Sequence, residues 1–91
     1  MENSSSIGAI MSIEELKNII LNKFGEVERL NDISIDENYY SRGVSSLTIV
    51  QLQAVVEKAI GVNLDTARLM GFSSIQEWVA NYYKILNSKE A

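Results

Sequence analysis

Apolar residues recur at helical spacing in three long stretches of this chain and one short one, with the period lost between them. After Ser12, the residues Ile13, Leu16, Ile19, Ile20 and Phe24 follow at intervals that place them on one helix face. Ser12 and Glu15 make a capping box, and Gly25 is expected to end this first helix. A second helix is predicted from about Ser46 to Ile60, stopped by Gly61. Leu47, Val50, Ala54, Val55 and Ile60 trace one face, and Ile49, Leu52, Val56 and Ala59 broaden it. Asn63-Leu64-Asp65 opens a short third helix that runs to about Met70 and is closed by Gly71; its brevity makes it marginal alone. The last helix starts at Ser74-Ile75-Gln76-Glu77, a second capping box, and continues through Trp78, Val79, Tyr82, Ile85 and Leu86.

Between the first two helices, residues 26–45 carry Glu26, Glu28, Asp32, Asp36 and Glu37 against Arg29 and Arg42, with no sustained period. A loop of this length in a small domain is usually functional or pinned by its own side chains. Leu30, Ile33, Ile35, Tyr39 and Tyr40 are the expected pins. The polar, serine-rich start reads as a flexible leader over 1–11, followed by a folded domain over 12–87 and a polar tail over 88–91. No Pro occurs and no run alternates like a strand, so the predicted class is all-α.

Composition narrows the chemistry. At 91 residues and 46% hydrophobic the chain supports one modest core. It has no Cys and no His, which removes disulfides, thiolate or imidazole metal sites, and the Ser-His-Asp and Cys-His arrangements. Glu14-Glu15 and Asp36-Glu37 sit at expected element starts, where acids complement helix dipoles, so they read as structural. A non-enzyme is the expectation. The net charge of −4 and the absence of a basic cluster argue against nucleic acid. No apolar run approaches the roughly 20 residues of a membrane span, and the start has no secretory pattern; a cytoplasmic monomer is expected.

Most remaining candidates have a plain structural role. Trp78 and Tyr82 are expected in the core, and the acidic loop lacks the alternating ligands and central glycine of a calcium loop, so it is expected to be solvated. Gly43-Val44-Ser45-Ser46-Leu47 differs, because it sets serine hydroxyls where a turn becomes a helix. Serine there is first an N-cap residue, yet the same position suits a phosphate, since free N–H groups and the helix dipole favour an anion.

The order of helix, long loop, Gly-x-Ser-Ser-Leu, helix, short helix and final helix resembles the acyl and peptidyl carrier proteins over roughly Ile13 to Leu86. Its specific part is Tyr39-Tyr40-Ser41-Arg42-Gly43-Val44-Ser45-Ser46-Leu47, which is similar to the family's loop ending in Gly-x-Asp-Ser-Leu. The resemblance implies an antiparallel four-helix bundle with a short third helix. It also implies a 4′-phosphopantetheine arm, derived from coenzyme A and joined to Ser46, whose thiol holds acyl or aminoacyl cargo as a thioester.

Ser45 stands where the family usually has Asp; it can still cap the helix, but the change bears on which transferase recognises the turn and leaves Ser45 as an alternative attachment residue. The implied partners are a phosphopantetheinyl transferase, an acyl- or aminoacyl-loading enzyme, and ketosynthase, condensation or thioesterase domains. The second helix is poor in carboxylates: its matching face shows Thr48, Gln51, Gln53, Glu57 and Lys58, so docking is expected to lean on Val44, Leu47, Val50, Gln51, Leu69 and Met70. That pattern resembles carriers of polyketide, lipopeptide or nonribosomal peptide assembly. The rival reading is a helical protein interaction module without a prosthetic group. A helix-turn-helix DNA binder needs a basic recognition helix, which the second helix is not.

Overall fold

Both capping boxes form in the structure, a computed structural model that describes residues 11–88. The Ser12 hydroxyl accepts the Glu15 N–H at 3.0 Å while Glu15 accepts the Ser12 N–H at 2.9 Å, and helix α1 runs Ile13–Gly25. At the other end of the fold, Ser74 accepts the Glu77 N–H, and Glu77 Oε1 accepts the N–H groups of Ser73 and Ser74, starting helix α4 at Ile75–Ser88. Between them lie α2, Ser46–Ile60, and α3, Thr66–Leu69. No strand occurs among the described residues, and the fold is the all-α, acyl-carrier-like helical bundle expected.

Helix α1 packs against both α2 and α4, so the core gathers around its Leu16, Ile20 and Phe24. Ile49, Leu52, Val56 and Ile60 enter from α2, Leu69 from α3, and Ile75, Trp78, Val79 and Tyr82 from α4. The centre is aromatic: the Phe24 ring meets Trp78 edge-on with centroids 4.8 Å apart, and Tyr39 lies 5.5 Å from Phe24. Trp78 Nε1 donates to the Tyr39 hydroxyl at 2.8 Å, which in turn donates to the Phe72 carbonyl at 3.0 Å. Burial pushes the Tyr39 phenol up to about 12, so its proton stays in place at neutral pH.

The buried side of α2 differs from the sequence expectation. The buried face of α2 is Ile49, Leu52, Gln53, Val56 and Ile60, whereas Leu47, Val50, Ala54 and Val55 are exposed; the residues read as a broadening of the face are mostly its centre. This helix is apolar around much of its circumference, and packing on α1, not hydropathy, selects the side that is covered. Gly25 ends α1 and Gly71 follows α3, as expected, while positive φ belongs to Gly43 and Gly61.

The 26–45 segment is the ordered, pinned connection expected. It holds two 3₁₀ turns, Glu28–Leu30 and Tyr39–Arg42, with Leu30, Ile33 and Tyr39 buried and Ile35 and Tyr40 partly buried, as the pins require. Helix α4 continues through Ser88, and Met11 packs on the core. The remainder of the expected leader, 1–10, and of the tail, 89–91, lies outside the described residues.

Candidate functional site

Two arginines build the turn that leads into α2. Arg42 holds Glu37 through Nε and Nη2, at 2.7 and 2.9 Å, and Asp32 through Nη1 at 2.8 Å. The same Nη1 donates to the Arg29 carbonyl at 3.1 Å, and Arg29 Nη1 reaches back to the Arg42 carbonyl at 3.4 Å. The two 3₁₀ turns are thereby tied to each other. Asp32 stays solvated, as expected of the acidic loop, and Glu37 is half-buried; both pair with Arg42, whose hydrogen bonds hold the two carboxyls below the usual carboxylate range.

Gly43 follows with φ +83°, and a Cβ there would sit 2.7 Å from Arg29 Nη1. The absent side chain serves both the left-handed backbone and the close approach of the guanidinium. Arg29, Gly43, Val44, Ser45 and Thr48 share one open groove beside the turn.

The two serines then separate by role. Ser45 is the N-cap of α2: its hydroxyl accepts the Thr48 N–H at 3.3 Å and lies 3.3 Å from the Thr48 hydroxyl. Ser46 is the first helical residue and is exposed, and among the described residues nothing hydrogen-bonds its hydroxyl. The N–H groups of Ser46 and Leu47 likewise find no partner among the described residues, as the first turn of a helix requires. A phosphate ester on Ser46 therefore fits: the hydroxyl is free, the neighbouring donors are unused, and the positive end of the α2 dipole faces the position.

The residues expected to dock partners are apolar or uncharged. Leu47 is 66% exposed and Val50 39%, with Gln51 exposed beside them and Val44 and Met70 half-buried. Leu69, expected to contribute to docking, is fully buried in the core and presents nothing to a partner. Val55, read from sequence as part of the apolar face, is 42% exposed and lines a groove with Lys23, Val27, Gln51 and Leu52.

Gln53 and Glu57, expected on the docking face, turn inward. Gln53 donates to the Leu64 carbonyl at 2.8 Å and to Glu57 at 3.0 Å, and accepts the Thr66 hydroxyl at 2.9 Å. Glu57 Oε2 also accepts the Leu64 N–H at 2.8 Å and the Tyr82 hydroxyl at 2.9 Å. Burial and this carboxylate push the Tyr82 phenol well above its ordinary value. No sequence signal marked these residues, because their partners come from the α2–α3 connection and from α4. As Glu57 is the only acid in α2, the exposed side of that helix carries no carboxylate.

Among the described residues no acidic group is gathered that could hold a metal ion, and no helix is long and apolar enough to cross a membrane. Residues 14–81 match a family model described as a phosphopantetheine attachment site. No curated protein and no solved structure matches the chain.

Proposed function

Because the chain belongs to the phosphopantetheine attachment-site family, whose members carry a covalently attached 4′-phosphopantetheine, we propose that Ser46 is the residue that bears it here. The observation that carries this reading is the division of labour at the α2 entrance: the Ser45 hydroxyl is committed to the cap, whereas that of Ser46 is exposed and free. When bound, the group supplies a thiol that holds acyl or aminoacyl cargo as a thioester, a chemistry for which a chain without Cys has no side chain of its own.

The rest of the site is a mount and a docking face. Gly43 and the paired arginines fix the turn, the first-turn N–H groups and the α2 dipole favour the phosphodiester, and Leu47, Val50 and Gln51 meet the visiting enzymes. With no carboxylate on the exposed side of α2 and a neutral Ser45 before the site, little charge steers encounter. That supports a carrier for polyketide, lipopeptide or nonribosomal peptide assembly. Its partners are then a phosphopantetheinyl transferase, a loading enzyme, and ketosynthase, condensation or thioesterase domains, in the cytoplasm.

The test is intact mass after incubation with coenzyme A, Mg²⁺ and a broad-specificity transferase. One phosphopantetheine is expected on the wild type and on Ser45→Ala, and none on Ser46→Ala. Unchanged wild-type mass across several transferases overturns the assignment.

A further inference from the structure

Charge is divided unevenly along the chain. Residues 1–45 hold eight of the twelve acids and four of the eight cations, so the whole net charge of −4 lies there. Of the later acids, Glu57 is turned inward onto Leu64 and Tyr82, and Glu77 accepts the N–H groups of Ser73 and Ser74. That leaves Asp65 as the outward acid of residues 46–88, against exposed Lys58, Arg68 and Lys84, none of which forms an ion pair among the described residues. The little steering charge on this half of the chain is therefore positive.

Two of these cations meet. Asn81, Lys84, Ile85 and Ser88 are spaced three, four and seven residues along one face of α4, and with Arg68 of α3 they line an open groove that holds no carboxylate. Asn81 Nδ2 donates to the Glu77 carbonyl at 2.8 Å and its Oδ1 accepts Arg68 Nη2 at 3.0 Å, so the amide aligns the guanidinium over α4. The other guanidinium N–H groups find no partner among the described residues. The groove also adjoins the attachment region. Ser46 and Gln53 are seven residues apart and so lie on one side of α2, and Gln53 accepts the Thr66 hydroxyl of α3, which sets α3 beside the side of α2 that carries Ser46. A stable interface covers about 800 Å² of each partner, more than Leu47, Val50 and Gln51 present, so an enzyme seated over Ser46 extends onto a neighbouring element.

We propose that Arg68 and Lys84, with Asn81 as the aligning residue, form a docking groove for an acidic segment of the enzymes this carrier serves. The inference rests on the carrier reading and adds the chemistry of the partners: they present carboxylates to α3 and α4 while apolar surface meets Leu47 and Val50. The planar Arg68 fork suits a carboxylate, and Lys84 adds a second charge; such pairs fix orientation and speed encounter more than they add affinity. The acidic first 45 residues disfavour the same segment elsewhere on the surface.

A short amphipathic peptide of Leu and Glu, and its counterpart with every Glu replaced by Gln, are titrated into the arm-bearing carrier at low salt. The readouts are the Arg68 Nε–H and Asn81 side-chain amide resonances. The Glu peptide is expected to shift both, with an affinity that falls several-fold at physiological salt, whereas the Gln peptide leaves them unmoved. Arg68→Gln and Lys84→Gln are each expected to weaken the Glu peptide a few-fold, and the double variant to bind it no better than the Gln peptide. Equal affinity for the two peptides, or a Glu-peptide affinity that the double variant leaves intact, overturns the groove. So does free glutarate shifting the same resonances at the same concentration, which marks an anion site only. Self-association of the carrier that is lost in Lys84→Glu assigns the groove to a second copy and overturns the proposal as well. Intact mass reports the arm separately: absence of any mass gain on the wild type overturns the carrier reading, whatever the peptides do.

Discussion

Replacing Tyr39 by Phe removes a single oxygen and strands the buried Trp78 Nε1–H and the part-buried Phe72 carbonyl. An unsatisfied buried donor or acceptor costs about 1–3 kcal/mol, so urea unfolding of Tyr39→Phe is expected to show a loss in that range. The serine pair gives a sharper contrast. Ser45→Ala deletes the α2 cap and is expected to lose about 1 kcal/mol, whereas Ser46→Ala changes an exposed hydroxyl with no partner among the described residues and should unfold within about 0.5 kcal/mol of the wild type. Failure of Ser46→Ala to accept the arm then cannot be ascribed to unfolding. Gly43→Ala meets both a left-handed backbone and the Arg29 guanidinium, so a cost of at least 1–2 kcal/mol is expected, more than at Gly61, which shares the conformation but has open space for a Cβ. Equal costs at the two glycines would show that Arg29 gives way freely.

At the scale of elements, the segment between α1 and α2 is organised by charge, and its stability depends on pH in a defined direction. Asp32 and Glu37 are held below their ordinary values of 3.8 and 4.5, chiefly by hydrogen bonds from Arg42, and Glu77 is held below 4.5 chiefly by the Ser73 N–H. Carboxylates depressed in the folded state contribute stability that is complete above their unfolded values and is lost as the pH falls below them. Acid titration of unfolding is therefore expected to be flat above about pH 5 and to fall beneath about pH 4.5, with a shallower fall in Arg42→Gln. An unaltered slope in that variant sinks the assignment. The starts of α1 and α4 were legible in the sequence because a capping box is a local signal of four residues. The buried side of α2 was not, since apolar residues surround the helix and only packing on α1 distinguishes Ile49 from Val50. Nor were the 3₁₀ turns, whose cause is an exchange between Arg29 and Arg42 thirteen positions apart.

For the whole molecule, the order of the helices, the serine at the head of α2 and the all-α class could be read in advance, since each rests on contiguous residues. The inward turn of Glu57 could not, because it depends on the Leu64 N–H and the Tyr82 hydroxyl arriving from elsewhere in the chain. The same convergence makes the core unforgiving. Trp78→Ala is expected to cost about 3–5 kcal/mol, a large share of the roughly 5–15 kcal/mol that holds a small domain together. Calorimetry should therefore find its unfolding transition strongly lowered or lost. Trp78 is also the one tryptophan in the chain, and it touches Phe24 of α1, Tyr39 of the connecting segment and Tyr82 of its own helix. Its emission is thus an intrinsic optical gauge of the centre of the fold, needing no label. Because Ser46 lies on the exposed surface, attaching an arm there should leave that emission constant, so a spectral change on loading would report a rearrangement of the aromatic centre itself.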